Sequence, residues 1–526
     1  MPDVLWGILD QADSGPALPA VKDLDRALSY AELRDEVARV ATGLAARGVG
    51  EGDRVALLLP NSVDFVVAAL AALWIGAIFV PLAVTDPEGR LATIVADCAP
   101  ALVLTADGSD SSARADATRE NSSPPLALGT MPLVPMSSAR APGSELVPPL
   151  HAFPRVAYAI YTSGTTGTPK GVLIGGPAFA AAVEATSEAL GLNRATRTLC
   201  VSPFHFDGSF ATLFPTLFSG GSVVIRPREA LLFPRTFFNA VAKERITYTG
   251  FSPSYLRLLL ASPQMAKLSE SELDVVALGG EASSIADIRA LWSTAPRIRV
   301  FNRYGPTETT IAVTHIELTP EITASGTIPM GGAHRGVTFY LVDDRGKVIE
   351  GADRVGELYI GGSQLMDGYW GAPALTGEVL RTDVVPGEAV YKTGDLVYRD
   401  GDGRYVYVDR TDRVIKRSGV RISLVELSEA MRSVPGVTAA ACVAFDDGGE
   451  LGIVAFVVTD QPVAALDLQR AARERLPETM LPNRIESVEV LPLTKSGKLD
   501  ERLLLSTAGL KPLQPAATAG SRVGPA

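Results

Sequence analysis

The chain has 526 residues, of which 47% are hydrophobic, and its formal net charge at pH 7 is −11. This length exceeds what one hydrophobic core usually serves, so at least two domains are expected. The acidic balance argues against nucleic acid as a partner, because binding to its phosphate backbone requires basic residues. Cys98, Cys200 and Cys442 have no metal-binding or disulfide spacing, which is typical of a reducing, cytoplasmic compartment.

Helical and strand patterns alternate from the start of the chain. Ser29 and Glu32 form a capping-box pattern before an amphipathic helix that Gly48 is positioned to end. The apolar stretch Phe65–Val84 is about as long as a membrane span, but Gly76 interrupts it and basic flanks are missing. We therefore expect a buried helix to about residue 77, then a core strand, and no membrane partner. The acidic N-terminus predicts no signal peptide.

The middle and the end of the chain suggest the domain organisation. Residues 107–154 are rich in Ser, Ala and Pro and show little periodicity, which predicts a surface linker. Strand-like and helical segments then alternate to about residue 411, and a smaller unit follows. The sequence thus predicts an α/β fold: a large N-terminal domain of mostly parallel sheets covered by helices (residues 1–411) and a small C-terminal α+β domain (residues 412–510). Residues 511–526 are expected to be disordered.

One loop carries the clearest chemical signal. The run YTSGTTGTPKG at Tyr161–Gly171 combines hydroxyl and glycine residues with a lysine, and the apolar run before it predicts a strand that leads into the loop. Backbone N–H groups and hydroxyls that converge on one concavity, together with a lysine, suit phosphate oxygens. Pro169 and Gly171 stand where a Walker-type P-loop needs Gly and Ser or Thr, so that class is disfavoured. The candidate phosphate ligands are Thr162, Ser163, Gly164, Thr165, Thr166, Gly167 and Lys170.

Five further motifs follow this loop. They are YGPTET at Tyr304–Thr309, GELYIGG at Gly356–Gly362, YKTGDL at Tyr391–Leu396, DRTDRVIKRSG at Asp409–Gly419 and PLTKSGKLD at Pro492–Asp500. In this order they resemble the adenylate-forming superfamily of acyl-CoA synthetases, luciferases and nonribosomal peptide synthetase adenylation domains. The resemblance covers nearly the whole chain. It implies an enzyme that joins a carboxylate to the α-phosphate of ATP and expels pyrophosphate, with Mg²⁺ as a cofactor.

The resemblance also implies roles for individual residues. Glu308 corresponds to the Mg²⁺-binding glutamate, Thr307 to a residue that bonds the α-phosphate, and Lys498 to the catalytic lysine. Asp412 corresponds to the hinge about which the small, mobile domain rotates after adenylation. The nucleotide-binding positions implied in the same way are Gly280, Glu281, Ala282 and Tyr304 at the adenine, and Asp395 and Arg410 at the ribose and phosphates.

The acyl site determines which carboxylate is activated. Asp207, in the run HFDGSF, matches the aspartate that pairs with the substrate's amino group in amino-acid-activating members. A relative that activates aryl or fatty acids does not need this carboxylate, and burying it unpaired is costly. The other implied positions are mostly small, which favours a roomy pocket or a closely approaching main chain, whereas the Arg303 side chain either pairs with a substrate carboxylate or folds outward. These positions are Gly208, Ala211, Gly250, Ala277, Gly279, Arg303, Ile311 and Ala312.

No condensation domain or carrier segment is recognised, so the sequence predicts a stand-alone adenylation enzyme of secondary metabolite biosynthesis. We expect it to load an amino acid, with non-proteinogenic and β-amino acids among the options, as a thioester onto the phosphopantetheine arm of a separate carrier protein. One alternative is an acyl- or aryl-acid CoA ligase, for which Asp207 is the discriminating residue. Another is a catalytically silent adenylate-binding protein, against which Lys498, Glu308 and Asp395 argue.

Overall fold

The computed structural model describes residues 3–86, 88–107, 131–143, 146–150, 154–163, 169–411, 414–417, 420–432, 434–447, 450–461, 463, 465–473, 481–494 and 499–512. The chain divides into two compact units, one of residues 1–393 with 398–407 and one of residues 394–397 with 408–526. The sequence predicted the division at residue 412. Within the described ranges, no helix is long and apolar enough to cross a bilayer.

The larger unit contains twelve of the described helices and most of the strands. Its helices are α1 (Val4–Ser14), α2 (Tyr30–Ala45), α3 (Val63–Trp74), α4 (Glu88–Cys98), α5 (Met136–Ala139), α6 (Gly176–Leu190), α7 (Phe210–Phe218), α8 (Arg228–Leu231), α9 (Pro234–Lys243), α10 (Pro253–Leu260), α11 (Ile285–Thr294) and α12 (Pro373–Val379). Its strands are β1 (Pro19–Lys22), β2 (Ala27–Ser29), β3 (Arg54–Leu58), β4 (Ile78–Pro81), β5 (Leu102–Thr105), β6 (Leu133–Pro135), β7 (Tyr158–Ser163), β8 (Pro169–Ile174), β9 (Arg197–Cys200), β10 (Ser222–Ile225), β11 (Tyr248–Phe251), β12 (Val275–Gly279), β13 (Arg299–Tyr304), β14 (Thr314–Leu318), β15 (Pro329–Gly331), β16 (Val337–Val342), β17 (Gly356–Gly362), β18 (Gly368–Tyr369), β19 (Leu380–Val385), β20 (Glu388–Arg399) and β21 (Tyr405–Arg410), the last two running into residues of the smaller unit.

Three sheets organise the larger unit. Two have the orders β18-β8-β7-β4-β3-β5-β6 and β14-β13-β12-β11-β9-β10-β1-β2. Strands β7-β4-β3-β5-β6 of the first and β13-β12-β11-β9-β10-β1 of the second are parallel, as helical crossovers require, whereas β18, β8, β14 and β2 pair antiparallel with their neighbours. The third, β15-β21-β20-β17-β16 with β19 beside β20, contains the antiparallel pairs β16–β17, β15–β21 and β19–β20. The predicted α/β class is confirmed. The third sheet differs because tight turns, such as Asp400–Arg404, join its strands in place of helices.

Several local predictions match the structure. The capping box of Ser29 and Glu32 starts α2. The apolar stretch forms the buried helix α3, which ends at Trp74, and then the buried strand β4. Part of the predicted linker instead forms β6, which pairs in parallel with β5. Periodicity did not reveal this strand because its stabilising partner lies about thirty residues away in the chain, at Val103 opposite Leu133.

Helix α7 lies between the first two sheets. On one side the Phe210 ring is 5.2 Å from the ring of Tyr158 in β7 and 5.8 Å from that of Phe79 in β4. On the other side Thr216 hydrogen-bonds Thr198 in β9 at 2.7 Å. This buried position fixes the start of α7, and with it the preceding residues, at the junction of the two sheets.

The smaller unit has its own sheet. Its elements are β22 (Val414–Arg417), β23 (Val420–Ser423), α13 (Leu424–Arg432), β24 (Val437–Asp447), β25 (Glu450–Thr459), α14 (Ala465–Arg473), β26 (Arg484–Ser487), α15 (Glu501–Thr507) and β27 (Lys511–Pro512). The sheet order is β26-β25-β24-β27, and β22 pairs with β23. Lys511 and Pro512 were assigned to the disordered tail, but they pair with Asp446 and Phe445, because the chain after α15 still reaches the sheet edge. Residues 513–526 lie outside the described residues.

Candidate active site

The ends of the predicted phosphate loop lie on a paired hairpin. Strands β7 and β8 are antiparallel, with Thr162 opposite Lys170 and Ser163 opposite Pro169, so the predicted strand before the loop is confirmed. Cross-strand partners share one face of a sheet, so the side chains of Thr162 and Lys170 leave the hairpin on the same face. The loop itself, with the predicted ligands Gly164, Thr165, Thr166 and Gly167, lies outside the described residues.

Tyr369, which sequence analysis missed, connects this hairpin to the predicted metal ligand. Its strand, β18, pairs with β8. The Lys170 ammonium lies 5.7 Å from the centre of the Tyr369 ring, and the Tyr369 hydroxyl donates a hydrogen bond to Glu308 Oε1 at 2.7 Å. Burial and the Glu308 carboxylate raise the pKa of Tyr369, so the phenol stays protonated and remains a donor. No motif marks Tyr369, and its place in the site follows from the strand pairing.

Glu308 and Thr307 lie in a 3₁₀ turn, Thr307–Thr309, that follows β13. In the part of the chain that the structure describes, no group of three or more His, Cys, Asp and Glu side chains is arranged to hold a metal ion. Nucleotide enzymes commonly bind Mg²⁺ through one or two carboxylates and the phosphate oxygens of the substrate. The single carboxylate of Glu308, held by the Tyr369 hydroxyl, is better suited to Mg²⁺ that binds together with ATP than to a metal ion that the protein holds permanently.

The predicted adenine-binding residues lie at the carboxyl ends of two neighbouring strands. Strands β12 and β13 are parallel, so Gly280–Ala282, which follow β12, and Tyr304, the last residue of β13, lie at adjacent carboxyl ends. Gly280 has a φ of +83°, a backbone conformation that glycine adopts without strain. The Glu281 carboxylate accepts a hydrogen bond from the backbone N–H of Ser254 at 3.1 Å, which turns this side chain toward α10. The backbone of this segment, rather than the Glu281 carboxylate, is therefore the surface available to a base.

In the smaller unit the structure brings together the two predicted ribose ligands. Arg410 Nη1 lies 3.2 Å from Asp395 Oδ1, and the Asp395 side chain is 9% exposed. A Cβ on Gly394 would lie 3.1 Å from Arg410 Nη2, so this glycine leaves room for the guanidinium. Lys498 and Asp412, the predicted catalytic lysine and hinge, lie outside the described residues.

The predicted acyl-site residues converge beside the start of α7. Asp207 opens a 3₁₀ turn, Asp207–Ser209, that leads directly into the helix, and Gly208 lies in the same turn. Opposite them are three adjacent parallel strands, β11, β12 and β13, with Gly250 beside Ala277 and Gly279 beside Arg303. Ala211 in α7 accepts a hydrogen bond from Tyr248 of β11 at 3.3 Å. Predicted positions from four separate segments thus form one site.

Arg303 folds inward, not outward, toward the other predicted acyl-site residues. A Cβ on Gly279 would lie 2.4 Å from Arg303 Cγ, and one on Gly250 would lie 3.3 Å from Arg303 Nη1. The side chain therefore crosses β12 and reaches β11, and its Nη2 donates to the carbonyl of Gly208 at 3.4 Å. The small residues at these positions suggested a roomy pocket as one option. The structure differs, because the side chain of Arg303 fills the space beside Gly279 and Gly250.

The other two acyl-site residues lie in a strained turn. Thr310 and Ile311 have φ values of +59° and +68°, which are unfavourable for β-branched residues, and the N–H of Ala312 bonds the carbonyl of Thr310 at 2.8 Å. The buried side chain of Gln364 holds the turn by donating to the carbonyls of Thr310 at 3.2 Å and Ala312 at 2.7 Å. Gln364 was not predicted, because its partners lie more than fifty residues away.

Gln364 also fixes a pair of buried histidines. With its amide nitrogen used as donor, its Oε1 accepts from His334 Nδ1 at 3.2 Å. Burial lowers the pKa of His334 to about 4, so its ring is neutral. Its Nε2 therefore accepts a hydrogen bond from the N–H of His315 Nδ1, 2.9 Å away. His315 Nε2 is then an acceptor, and among the described residues it has no hydrogen-bond partner. His315 lies opposite Arg303 in the pairing of β14 with β13. Burial lowers the pKa of His315 well below the usual value, and the neighbouring His334 and Arg303 act in the same direction.

Comparison with known proteins supports this assignment of motifs. The model of the AMP-binding enzyme family matches residues 8–370, and that of the AMP-binding enzyme C-terminal domain matches residues 426–498. The chain is 34% identical to an isonitrile lipopeptide synthase of Streptomyces coeruleorubidus, over 96% of the chain and 33% of that protein. It is 32% identical to a dimodular nonribosomal peptide synthase of Bacillus subtilis (strain 168), over 94% of the chain and 21% of that protein. The chain spans a third or less of the length of these relatives.

Solved structures share the fold. A holo four-domain nonribosomal peptide synthetase bound to AMP and glycine matches with a TM-score of 0.83 and 27% identity, over 100% of this chain and 37% of that one. ATP-bound MatB from Rhodopseudomonas palustris also has a TM-score of 0.83, but at 23% identity, over 96% and 99% of the two chains, it shows a common fold alone. Because the family model covers more than half of the chain, the chain belongs to the AMP-binding enzymes of the adenylate-forming superfamily.

Proposed function

We propose that this protein activates an amino acid as its aminoacyl-adenylate and then transfers it to the phosphopantetheine thiol of a separate carrier protein. The position of Asp207 carries the proposal. Asp207 lies in the turn that opens α7, and the carbonyl of the next residue, Gly208, accepts a hydrogen bond from Arg303 of β13 at 3.4 Å. The ammonium of an amino acid substrate is the partner that such a carboxylate can bind. The relatives with bound glycine or with peptide synthase names support this substrate class.

The chemistry brings two anions together. An oxygen of the substrate carboxylate attacks the α-phosphorus of ATP, and the bond from that phosphorus to the bridging oxygen breaks as pyrophosphate leaves. The site must supply donors and positive charge to both anions. We assign phosphate binding to the hairpin of Thr162 and Lys170, and the position between carboxylate and α-phosphate to Lys498. Mg²⁺, held by Glu308, would offset the charge of the phosphates.

The second step forms a thioester. The carrier's thiolate attacks the acyl carbon of the adenylate, and the bond to the phosphate oxygen breaks as AMP leaves. Asp395 and Arg410, which contact each other in the smaller unit, are assigned to the ribose hydroxyls and phosphate of the nucleotide. Rotation about Asp412 would replace Lys498 for this step.

The CoA-ligase alternative has one observation in its favour. Arg303 already offers Asp207 a cation within the site, so an acid without an amino group would leave that pair undisturbed. An ATP–pyrophosphate exchange panel of α-amino, β-amino, des-amino and aryl acids separates the two. Exchange that requires the amino group supports the proposal, whereas exchange restricted to acids without it selects the ligase. A catalytically silent protein should bind ATP but show no exchange with any acid. The variant Lys498→Ala, which is expected to behave in this way, serves as the reference for that outcome.

A further inference from the structure

The buried guanidinium of Arg303 has an unused donor. The residue is 8% exposed, and Nη1 donates no hydrogen bond to any residue that the structure describes. Buried arginine donors are normally satisfied, because leaving a hydrogen bond of a charged group unmade is more costly than leaving one of a neutral group unmade. In a substrate site, an unused donor of this kind indicates that a ligand supplies the acceptor.

The charges around Arg303 balance one another. Burial lowers the pKa of the guanidinium, while the charge of Asp207 raises it, so the two groups are close enough to interact. Burial and the Asp207 charge raise the pKa of Tyr158, burial raises that of Tyr248, and His315 is neutral. At neutral pH the site therefore carries one negative charge on Asp207 and one positive charge on Arg303.

This balance limits the substrates that the site accepts. The reacting carboxylate of an amino acid is directed to the phosphates, so only the remainder of the molecule enters the acyl site. If the side chain is uncharged, the ammonium adds one positive charge to a buried neutral site, which is unfavourable. If the side chain carries a carboxylate, the added charge is zero and Arg303 gains an acceptor suited to its planar fork.

We propose, on the basis of the proposed amino-acid activation, that the substrate is an amino acid with a second carboxylate. Asp207 binds its ammonium, and Arg303 binds the second carboxylate through Nη1. The arginine stem occupies the space over Gly279 and its guanidinium that over Gly250, so the side chain is short, of the size of aspartate or glutamate and their β-amino isomers.

The wild-type chain gives the first test. In ATP–pyrophosphate exchange, kcat/KM for aspartate, glutamate or a β-amino isomer should exceed that for the matched amides asparagine and glutamine by about 100-fold, since the amides cannot neutralise Arg303. A preference for amides or for aliphatic amino acids overturns the proposal but leaves amino-acid activation standing. Exchange restricted to acids without an amino group overturns both.

Arg303→Met gives the second test. The variant should lose the preference for acidic substrates and gain exchange with uncharged amino acids of similar size. Without Arg303, the charge of the substrate's ammonium is neutralised by Asp207, and no second carboxylate is needed. Arg299→Met is the matched control: Arg299 lies on the same strand and pairs at the surface with Glu317 at 2.7 Å, so the preference should persist. If Arg303→Met binds ATP and keeps the wild-type preference, Arg303 does not select the substrate. The wild-type panel remains decisive if this variant does not fold.

Discussion

Mild acid should destabilise the larger unit, because His315 and His334 are buried in their neutral forms. In the unfolded chain each histidine takes up a proton as the pH falls through 6.5, whereas folded His334 does so only near a pKa of about 4. Between these values the unfolded chain binds more protons, so the free energy of unfolding falls as the pH is lowered. The stabilisation is fully present above pH 6.5 and is lost toward pH 4.

The size of the effect follows from the same pKa values. For His334, linkage predicts a loss of about 2 kcal/mol between pH 7 and pH 5. His315, whose pKa is also held well below the usual value by burial, acts in the same direction. The loss from His334 alone is a substantial fraction of the 5–15 kcal/mol that stabilises a typical domain.

Tryptophan fluorescence during urea unfolding is the assay, since all four tryptophans (Trp6, Trp74, Trp292 and Trp370) lie in the larger unit. Other groups also titrate, so the informative quantity is the difference between the wild type and a variant with His315→Asn and His334→Gln. The wild type should lose at least about 2 kcal/mol more between pH 7 and pH 5. His205→Gln, outside the pair, controls for loss of a histidine. Equal losses in the wild type and the double variant would refute the reasoning.

Three further perturbations test contacts of the site. Tyr369→Phe should raise the Mg²⁺ concentration for half-maximal pyrophosphate exchange by about tenfold, because Glu308 loses a charged hydrogen bond; an unchanged Mg²⁺ dependence would exclude this role. Gln364→Leu leaves two buried carbonyls without a donor and should lower the free energy of unfolding by ~2–4 kcal/mol, measured by tryptophan fluorescence, whereas a change below about 0.5 kcal/mol would contradict the proposed support of the turn. Gly279→Ala should cost about 1–3 kcal/mol and reduce exchange, and the cost should be much smaller in an Arg303→Ala background, where the two closest contacts, with the arginine side chain, are removed. An equal cost in both backgrounds would mean that the side chains do not meet.

The sequence predicted the fold class and much of the site because these depend on local patterns. The capping box of Ser29 starts a helix through contacts three residues apart, and the run before Ser163 forms a strand because its apolar residues suit a buried sheet. Family motifs located Asp207 and Glu308 from their neighbours in the chain. Contacts between distant segments could not be inferred in this way. The inward path of Arg303 depends on the register of neighbouring strands, which places Gly279 beside it, and neither residue alone reveals that pairing.

The residues that sequence analysis missed share one location, and that location explains their importance. Gln364 holds the strained turn of the acyl site through its side chain, and Tyr369, a few residues further on, holds the carboxylate of Glu308. Between them, the N–H of Met366 donates to the carbonyl of Glu308 at 2.9 Å. One short segment, residues 364–369, therefore supports both the acyl wall and the predicted metal ligand. Strained backbone persists where surrounding contacts fix it. The contacts that fix Thr310 come from the segment that also holds Glu308, so under the proposed function we expect substrate fit and metal binding to depend on the same backbone.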